Sequence, residues 1–493
     1  MPKKLYNDLV NTSFTFIVIA LIGVASGILF PRFLGPEQFG LWSITISIIG
    51  LLAPIAQLAM STALATYISK YKNNEQKITS FITSAYFITI ITSLIISIIL
   101  FLLGKYIALS VFGDKRLIIL FFIAPVILFF SQLYNVNCDY FRGFKNFKKY
   151  NLQKIITESL LFIIPLTLIL FFSKEAIYLA ISNAIIYVFV GVFVLIYISK
   201  TENLFKLFNK LQKEDTIKLL KFGVPLIFTA TFMLLMKSID KIFIGYFLDI
   251  SNVGVYSVAA TIPLMIGSLF SPIGTVLLPT FSERFQVTKN SELFLNEIFS
   301  LILFISIPSI IFIFYFSEPI LYFLMGAEYI AGSNVLFITS FELLFYSGYT
   351  LFSIQIVASE KTFKLAIGLG ITALINVCFN IILIPIFGIE GAAIATSFSF
   401  FILFVYTIFI SKFTYNFQFN TKNFKIYVYL ILSLIFIGFL IKLVFNGLLS
   451  LMITGIIFFI LTSILVYFSS PLWFTEIMLY LREIKSWLKK KIY

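Results

Sequence analysis

Between residues 11 and 470 the chain is a succession of apolar runs broken by short polar segments. A helix of about 20 apolar residues crosses a bilayer and satisfies its own backbone hydrogen bonds inside the hydrocarbon. The runs fall near 11–31, 40–66, 79–103, 117–138, 152–172, 176–199, 222–247, 253–280, 294–316, 333–357, 364–387, 391–411, 425–445 and 448–470. They predict an all-α polytopic membrane protein with about 14 transmembrane helices. Charged residues make up 12% of the chain, against about 25% in a soluble domain, and no soluble domain longer than a loop fits between the runs. Lys3-Lys4 precede the first run and no small-residue cleavage site follows it, so it is expected to be retained.

The loops set an expected orientation. Lys70, Lys72 and Lys77, the Arg142–Lys149 group, Lys206 to Lys213, Arg284 and Lys289, Lys361 and Lys364, and Lys412 and Lys422 lie in alternate loops. With both termini, that side holds about 28 of the 36 lysines and arginines, and the opposite loops hold about six. Basic loops stay in the cytoplasm, which places both termini there. The net charge of +14 is thereby explained without nucleic acid, which needs a basic patch on a soluble surface.

A turn and its echo give the internal organisation. Arg32 to Ser43 reads Arg-Phe-Leu-Gly-Pro-Glu-Gln-Phe-Gly-Leu-Trp-Ser, and its Gly-Pro pair predicts a tight turn at the outer surface. About 214 positions later Phe33-Leu34 returns as Phe247-Leu248, Gly40 as Gly254, Trp42 as Tyr256 and Ser43 as Ser257. Phe147-Lys148 returns as Phe363-Lys364, and Glu175, Ala180 and Ser182 as Glu390, Ala395 and Ser397. Two copies on one face need an even number of spans between them, and six lie there, so the halves are expected to be parallel repeats. The predicted division is an N-terminal lobe at 1–199, a cytoplasmic linker at 200–221, a C-terminal lobe at 222–411, two appended spans at 412–470 and an interfacial tail at 471–493. In the tail, Trp473, Ile477, Leu481, Ile484 and Leu488 recur at helical spacing opposite basic residues, which suits a helix lying on the membrane.

Several chemistries are excluded by residue type. There are no histidines, which removes histidine triads, histidine–metal sites and histidine proton shuttles. Cys138 and Cys378 offer neither a disulfide framework nor a metal cluster. No Gly-rich Lys-Ser/Thr nucleotide loop is present. No catalytic residue, metal or cofactor is expected.

The informative charges lie inside spans. Lys237, Asp240 and Lys241 share one face of the seventh run at i, i+3 and i+4. A charge at the bilayer centre costs on the order of 3 kcal/mol, so such groups face protein or water. They read either as the cationic wall of a water-filled cavity, with Asp240 neutralising one lysine, or as a self-neutralising cluster with snorkelling lysines. The repeat places Gly23, Ser26 and Gly27 opposite them, where small residues would allow close packing or leave room for a head group. Glu342, deep in the tenth run with no local cation, is a candidate proton- or sodium-responsive carboxylate. Glu158 follows Lys154 by one turn, as in a local ion pair. Gln57, Asn376 and Asn380 suit hydrogen bonds between helices. Prolines 54, 125, 165, 225, 263, 272 and 308 predict bent or broken helices.

The turn Arg-Phe-Leu-Gly-Pro-Glu-Gln-Phe-Gly resembles the opening signature of Wzx-type polysaccharide flippases of the multidrug/oligosaccharidyl-lipid/polysaccharide exporter superfamily. The stretch from Asp240 to Ala259, the Arg142-Gly143 pair and the Gly388-Ile-Glu-Gly-Ala-Ala393 run are similar to further signatures of that family. The resemblance covers essentially the whole chain. It implies two six-helix lobes in a V around a central cavity, plus two C-terminal helices. It implies movement of a lipid-diphosphate-linked oligosaccharide from the inner to the outer leaflet, driven by a proton or sodium gradient. The partners it implies are that lipid-linked sugar, membrane lipids and polysaccharide-assembly membrane proteins. The family's cationic cavity would map to Lys237 and Lys241, with Arg32 at the outer rim, and Asp240, Glu342 and Glu158 would balance charge or couple ions. The first lobe lacks an evident mid-membrane cation, a departure from that pattern.

Three rivals remain at this stage. A drug or cation antiporter of the same superfamily would have about twelve spans and an acidic cavity. A membrane-embedded glycan polymerase or glycosyltransferase would need a sizeable outer loop, and those near 104–116 and 317–332 are short. A scaffold without transport would have no use for a charged cavity face.

Overall fold

The computed structural model describes residues 3–202, 212–268, 290–358, 362–415, 424–444 and 447–469. No strand occurs among them. The first half contains α1 (Lys3–Gln57), α2 (Met60–Lys70), α3 (Glu75–Tyr106), α4 (Arg116–Gly143), α5 (Phe147–Phe171) and α6 (Ala176–Glu202). The second contains α7 (Lys213–Phe247), α8 (Ile250–Ser268), α9 (Asn290–Leu324), a 3-10 turn (Ala327–Gly332), α10 (Ser333–Ser340), α11 (Glu342–Ala358), α12 (Thr362–Phe387) and α13 (Ile389–Tyr415). Helices α14 (Phe424–Val444) and α15 (Gly447–Ser469) follow. The expected interfacial tail, 471–493, and Pro272 lie outside the described residues.

Eleven helical stretches are long and apolar enough to cross a membrane, and Tyr427–Leu443 and Ser450–Ile464 are shorter apolar helices. Eleven rather than fourteen meet the length and apolarity of a crossing among the described residues. Part of the difference is that the first two runs share α1, which breaks at Gly35 (φ 76°, ψ 169°). The expected turn therefore condenses to one residue. Glycine takes the positive φ without a Cβ penalty, and Pro36 starts the next helical segment, where no N–H is required. Large apolar side chains such as Phe171, Phe189, Leu374 and Phe459 stand more than half exposed, as a lipid-facing surface requires.

Further breaks sit where the sequence weakens a helix. Leu58 and Ala59 both have positive φ, four residues after Pro54, and separate α1 from α2. On α7, a Cβ at Gly223 would collide with the Leu58 carbonyl, so that glycine seats α7 against the break. The tenth run divides at Phe341, and Glu342 begins α11.

The two halves meet through a symmetric contact. A Cβ at Gly40 would collide with the Ile250 carbonyl, and a Cβ at Gly254 would collide with the Pro36 carbonyl. Ile250 and Gly254 are the repeat mates of Pro36 and Gly40 at the same offset of 214. The same contact is thus made twice, once from each half, where the second segment of α1 crosses α8. A core of Leu41, Ile44, Val253, Tyr256, Ile320 and Tyr329 from both halves packs around it. Tyr329 donates its hydroxyl to the Pro31 carbonyl at 2.9 Å. Arg116 ties the same rim with ion pairs to Glu37 at 2.8 Å and Asp114 at 2.7 Å. Its hydrogen bonds hold the Asp114 carboxyl below the usual carboxylate range.

Candidate functional site

Helix α7 packs against α8, α12 and α13 of the same half, and its Lys237 reaches α11. Asp240 is 3% exposed. One of its oxygens accepts the backbone N–H of Lys241 at 2.8 Å, and the other accepts the Tyr256 hydroxyl from α8. Both acceptors are thus satisfied within protein, which is how a buried carboxylate is tolerated. Asp240 forms no ion pair with Lys237 or Lys241 among the described residues. Asp240 makes its direct bonds to Tyr256 and to the Lys241 backbone, and Lys241 acts on it through its field.

Lys237 reaches across to α11. Its ammonium donates to the Tyr346 hydroxyl at 3.2 Å and stands 4.2 Å from the centre of the Tyr346 ring. A cation over an aromatic face is attracted by the negative face of the ring. Tyr346 lies one turn after Glu342, so both share the face of α11 that meets Lys237. Glu342 is 6% exposed, lies beside Ser397 of α13, and feels the opposing fields of Asp240 and Lys237. The local sequence shows no cation near Glu342; the fold supplies Lys237 from a distant helix, within electrostatic reach but not as an ion pair.

The small residues opposite differ in their surroundings. A Cβ at Gly27 would meet the terminal methyl of Met265 on α8, the end of a flexible side chain. At Gly23, the repeat mate of Lys237, an added Cβ would meet nothing within 4 Å.

The other candidates lie elsewhere. Arg32 donates from Nη1 to the carbonyls of Phe323 at 3.1 Å and Leu324 at 3.4 Å. These end α9, where unpaired carbonyls favour a cation. Glu158 sits in the first half near Lys154, Tyr134 and Tyr187. No Lys154–Glu158 ion pair forms among the described residues, and the Lys154 ammonium lies 5.6 Å from the Tyr150 ring centre instead. Lys237, Asp240, Lys241 and Glu342 are therefore one constellation, while Arg32 and Glu158 stand outside it. Asn376 bonds Thr396 across α12 and α13 at 3.2 Å, Asn380 bonds back to Asn376, and Gln57 accepts from Ser61 on the following helix.

Tyr256, Tyr346 and Ser397 were not singled out as site residues by the sequence. Two carried a usable sign: Tyr256 answers Trp42 and Ser397 answers Ser182 in the repeat. Tyr346 could have been found as the residue one turn beyond Glu342.

The arrangement offers cations and carboxylates inside a membrane domain, next to a contact that joins the two halves. Comparison with known proteins gives the family and the fold. The profile of the polysaccharide biosynthesis protein family matches residues 7–285. An uncharacterized membrane protein of Methanocaldococcus jannaschii is 25% identical over 476 residues, covering 90% of this chain and 91% of that one. A probable low-salt glycan biosynthesis flippase of Haloferax volcanii is 29% identical over 164 residues, covering 33% of this chain and 34% of that one. The structure of the lipid II flippase MurJ in an inward closed conformation superposes with a TM-score of 0.73 at 21% identity, covering 94% of this chain and 99% of that one. That likeness is one of fold.

Proposed function

The chain belongs to the polysaccharide biosynthesis protein family, and from that membership we propose that it moves a lipid-diphosphate-linked oligosaccharide from the inner to the outer leaflet by ion-coupled alternating access. The observation that carries this reading is the Lys237 ammonium, held over Tyr346 without an ion pair, at the repeat position of a glycine that faces open space. A cation so placed suits an anionic diphosphate, because a charge-assisted contact strengthens where the dielectric is low. Lys241 adds a second positive charge on the same helix face. The basic loops support a cell-membrane protein with both termini in the cytoplasm, and the repeat supports parallel lobes at 1–199 and 222–411 joined by the 200–221 linker.

The mechanism follows from the two contacts already described. The glycine–carbonyl crossing holds the halves together at the expected outer face, so the diphosphate would enter from the cytoplasmic side. Separation of Gly40 from Ile250 and of Gly254 from Pro36 would then open the outer side. Glu342 couples this cycle to a proton or sodium ion: loading it with a cation cancels the negative field that it exerts on Lys237. Arg32, engaged by the end of α9, acts at the rim as a cap. Glu158 contributes charge balance within the first lobe. The assembly partners would be the membrane proteins that build and polymerise the glycan.

An antiporter of cationic drugs is disfavoured by Lys237, which repels a cation, while both oxygens of Asp240 are bonded inside the protein. The test is binding of a lipid-diphosphate-linked sugar to the purified protein. Lys237→Ala should weaken it by roughly 1–3 kcal/mol, as loss of one charge-assisted hydrogen bond does. Equal binding by wild type and variant would remove Lys237 from the site.

A further inference from the structure

A polar pocket of about 360 Å³ lies where α9, α10, α14 and α15 converge, away from the Lys237 constellation. Its walls include Ser317, Glu318, Ser333, Asn334 and Lys442. The pocket exists because α9 breaks at Phe316 (φ −124°, ψ 16°) just before Pro319. Proline has no N–H, so the carbonyl four residues earlier, that of Tyr315, loses its helical partner. Lys442, in the last turn of α14, supplies a replacement by donating to that carbonyl at 3.4 Å. The Tyr315 hydroxyl in turn donates to the Ile435 carbonyl at 3.0 Å, which fastens α9 to α14.

Two charges therefore line one pocket without pairing. Neither Lys442 nor Glu318 forms an ion pair among the described residues. Asn334 is oriented by the bond from its amide to Glu390 at 2.6 Å. The end of α9 lies on the same membrane face as the Arg32 turn, since Arg32 binds the Phe323 and Leu324 carbonyls. Against α9 and α15 also runs an apolar groove of about 770 Å³, walled by Ile305, Pro308, Phe312, Gly455 and Phe459. Polar pocket and apolar groove thus adjoin the same two helices, the groove running along α9 from Leu301 to Leu324 past the residues of the pocket.

We propose that this pocket binds a resident anionic phospholipid with a hydroxyl-bearing head group, of the phosphatidylglycerol class. Lys442 takes the phosphate, Glu318 and the serine hydroxyls take the head-group hydroxyls, and an acyl chain lies in the apolar groove. Lys442 supplies a charge-assisted donor to phosphate oxygen, and Glu318, which would repel a bare phosphate, finds a use as an acceptor for hydroxyls. A lipid seated there would hold the appended helices α14 and α15 against α9.

The site is independent of the transport reading, because it rests on neither Lys237 nor the direction of flipping. The test is thermal stabilisation of the purified full-length protein by short-chain phosphatidylglycerol against short-chain phosphatidylcholine. Phosphatidylglycerol should stabilise at the lower concentration. Lys442→Ala should raise the concentration needed by roughly tenfold, to the level of phosphatidylcholine, and Lys442→Arg should retain the preference. Lys237→Ala should leave it intact. Equal stabilisation by the two lipids, or a preference unchanged in Lys442→Ala, would overturn the proposal. Stabilisation by glycerol phosphate alone would overturn the lipid assignment, as would a response only to polyprenyl diphosphate.

Discussion

Lys237 and Asp240 sit one helical turn apart yet have opposite needs. Asp240 is buried with both oxygens bonded inside the protein. Tyr256→Phe should strand one of those acceptors at a cost of about 1–3 kcal/mol, read as lower abundance or a lower melting temperature. Lys237→Ala removes an ammonium whose one hydrogen-bond partner among the described residues is Tyr346, and it should leave abundance near wild type while transport fails. If Lys237→Ala instead lowers abundance and a second change, Asp240→Asn, restores it, the charges serve packing alone. Glu342→Gln should keep substrate binding but remove its dependence on pH or sodium; an unchanged ion dependence would return Glu342 to a structural role. The charges were legible in the sequence because an ionisable group inside an apolar run is costly. Their partners were not. The chain has 25 tyrosines, and only helix packing selects Tyr346, 109 positions from Lys237, and Tyr256 for their roles.

Among the elements, the crossing of α1 and α8 is the most constrained. A methyl group at Gly40 or Gly254 would occupy the space of a backbone carbonyl, which cannot rotate away as a side chain can. Gly40→Ala and Gly254→Ala should each weaken this contact by about 1–3 kcal/mol, as overpacking does. In a background lacking Cys138 and Cys378, a cysteine at Gly23 should then react faster with an impermeant thiol reagent added outside. Unchanged reactivity in both variants would mean that the crossing does not close the outer side. The repeated turn was visible as sequence, with its glycines and its offset. That the two copies touch each other was not, because a repeat reports likeness rather than contact. The break at Phe341 was also hidden, since the tenth run contains no proline or glycine near it.

At the scale of the molecule, the apolar runs carried most of the fold, and the MurJ likeness agrees with them over 94% of the chain. The proposed orientation rests on the basic loops and has its own test. Cysteines at Glu37 and Glu328 should be labelled from outside, and cysteines at Asn74 and Lys210 should not; outside labelling at Asn74 would invert the topology. Translocation itself can be measured. The purified protein is placed in sealed vesicles with a fluorescent lipid-diphosphate-linked oligosaccharide, and an impermeant quencher or glycosidase reports which leaflet holds the sugar. The account predicts protein-dependent movement of the sugar across the bilayer, driven by an imposed proton or sodium gradient and lost in Lys237→Ala at normal protein abundance. Movement no faster than in protein-free vesicles, or full movement by the Lys237→Ala and Lys241→Ala variants, would contradict it.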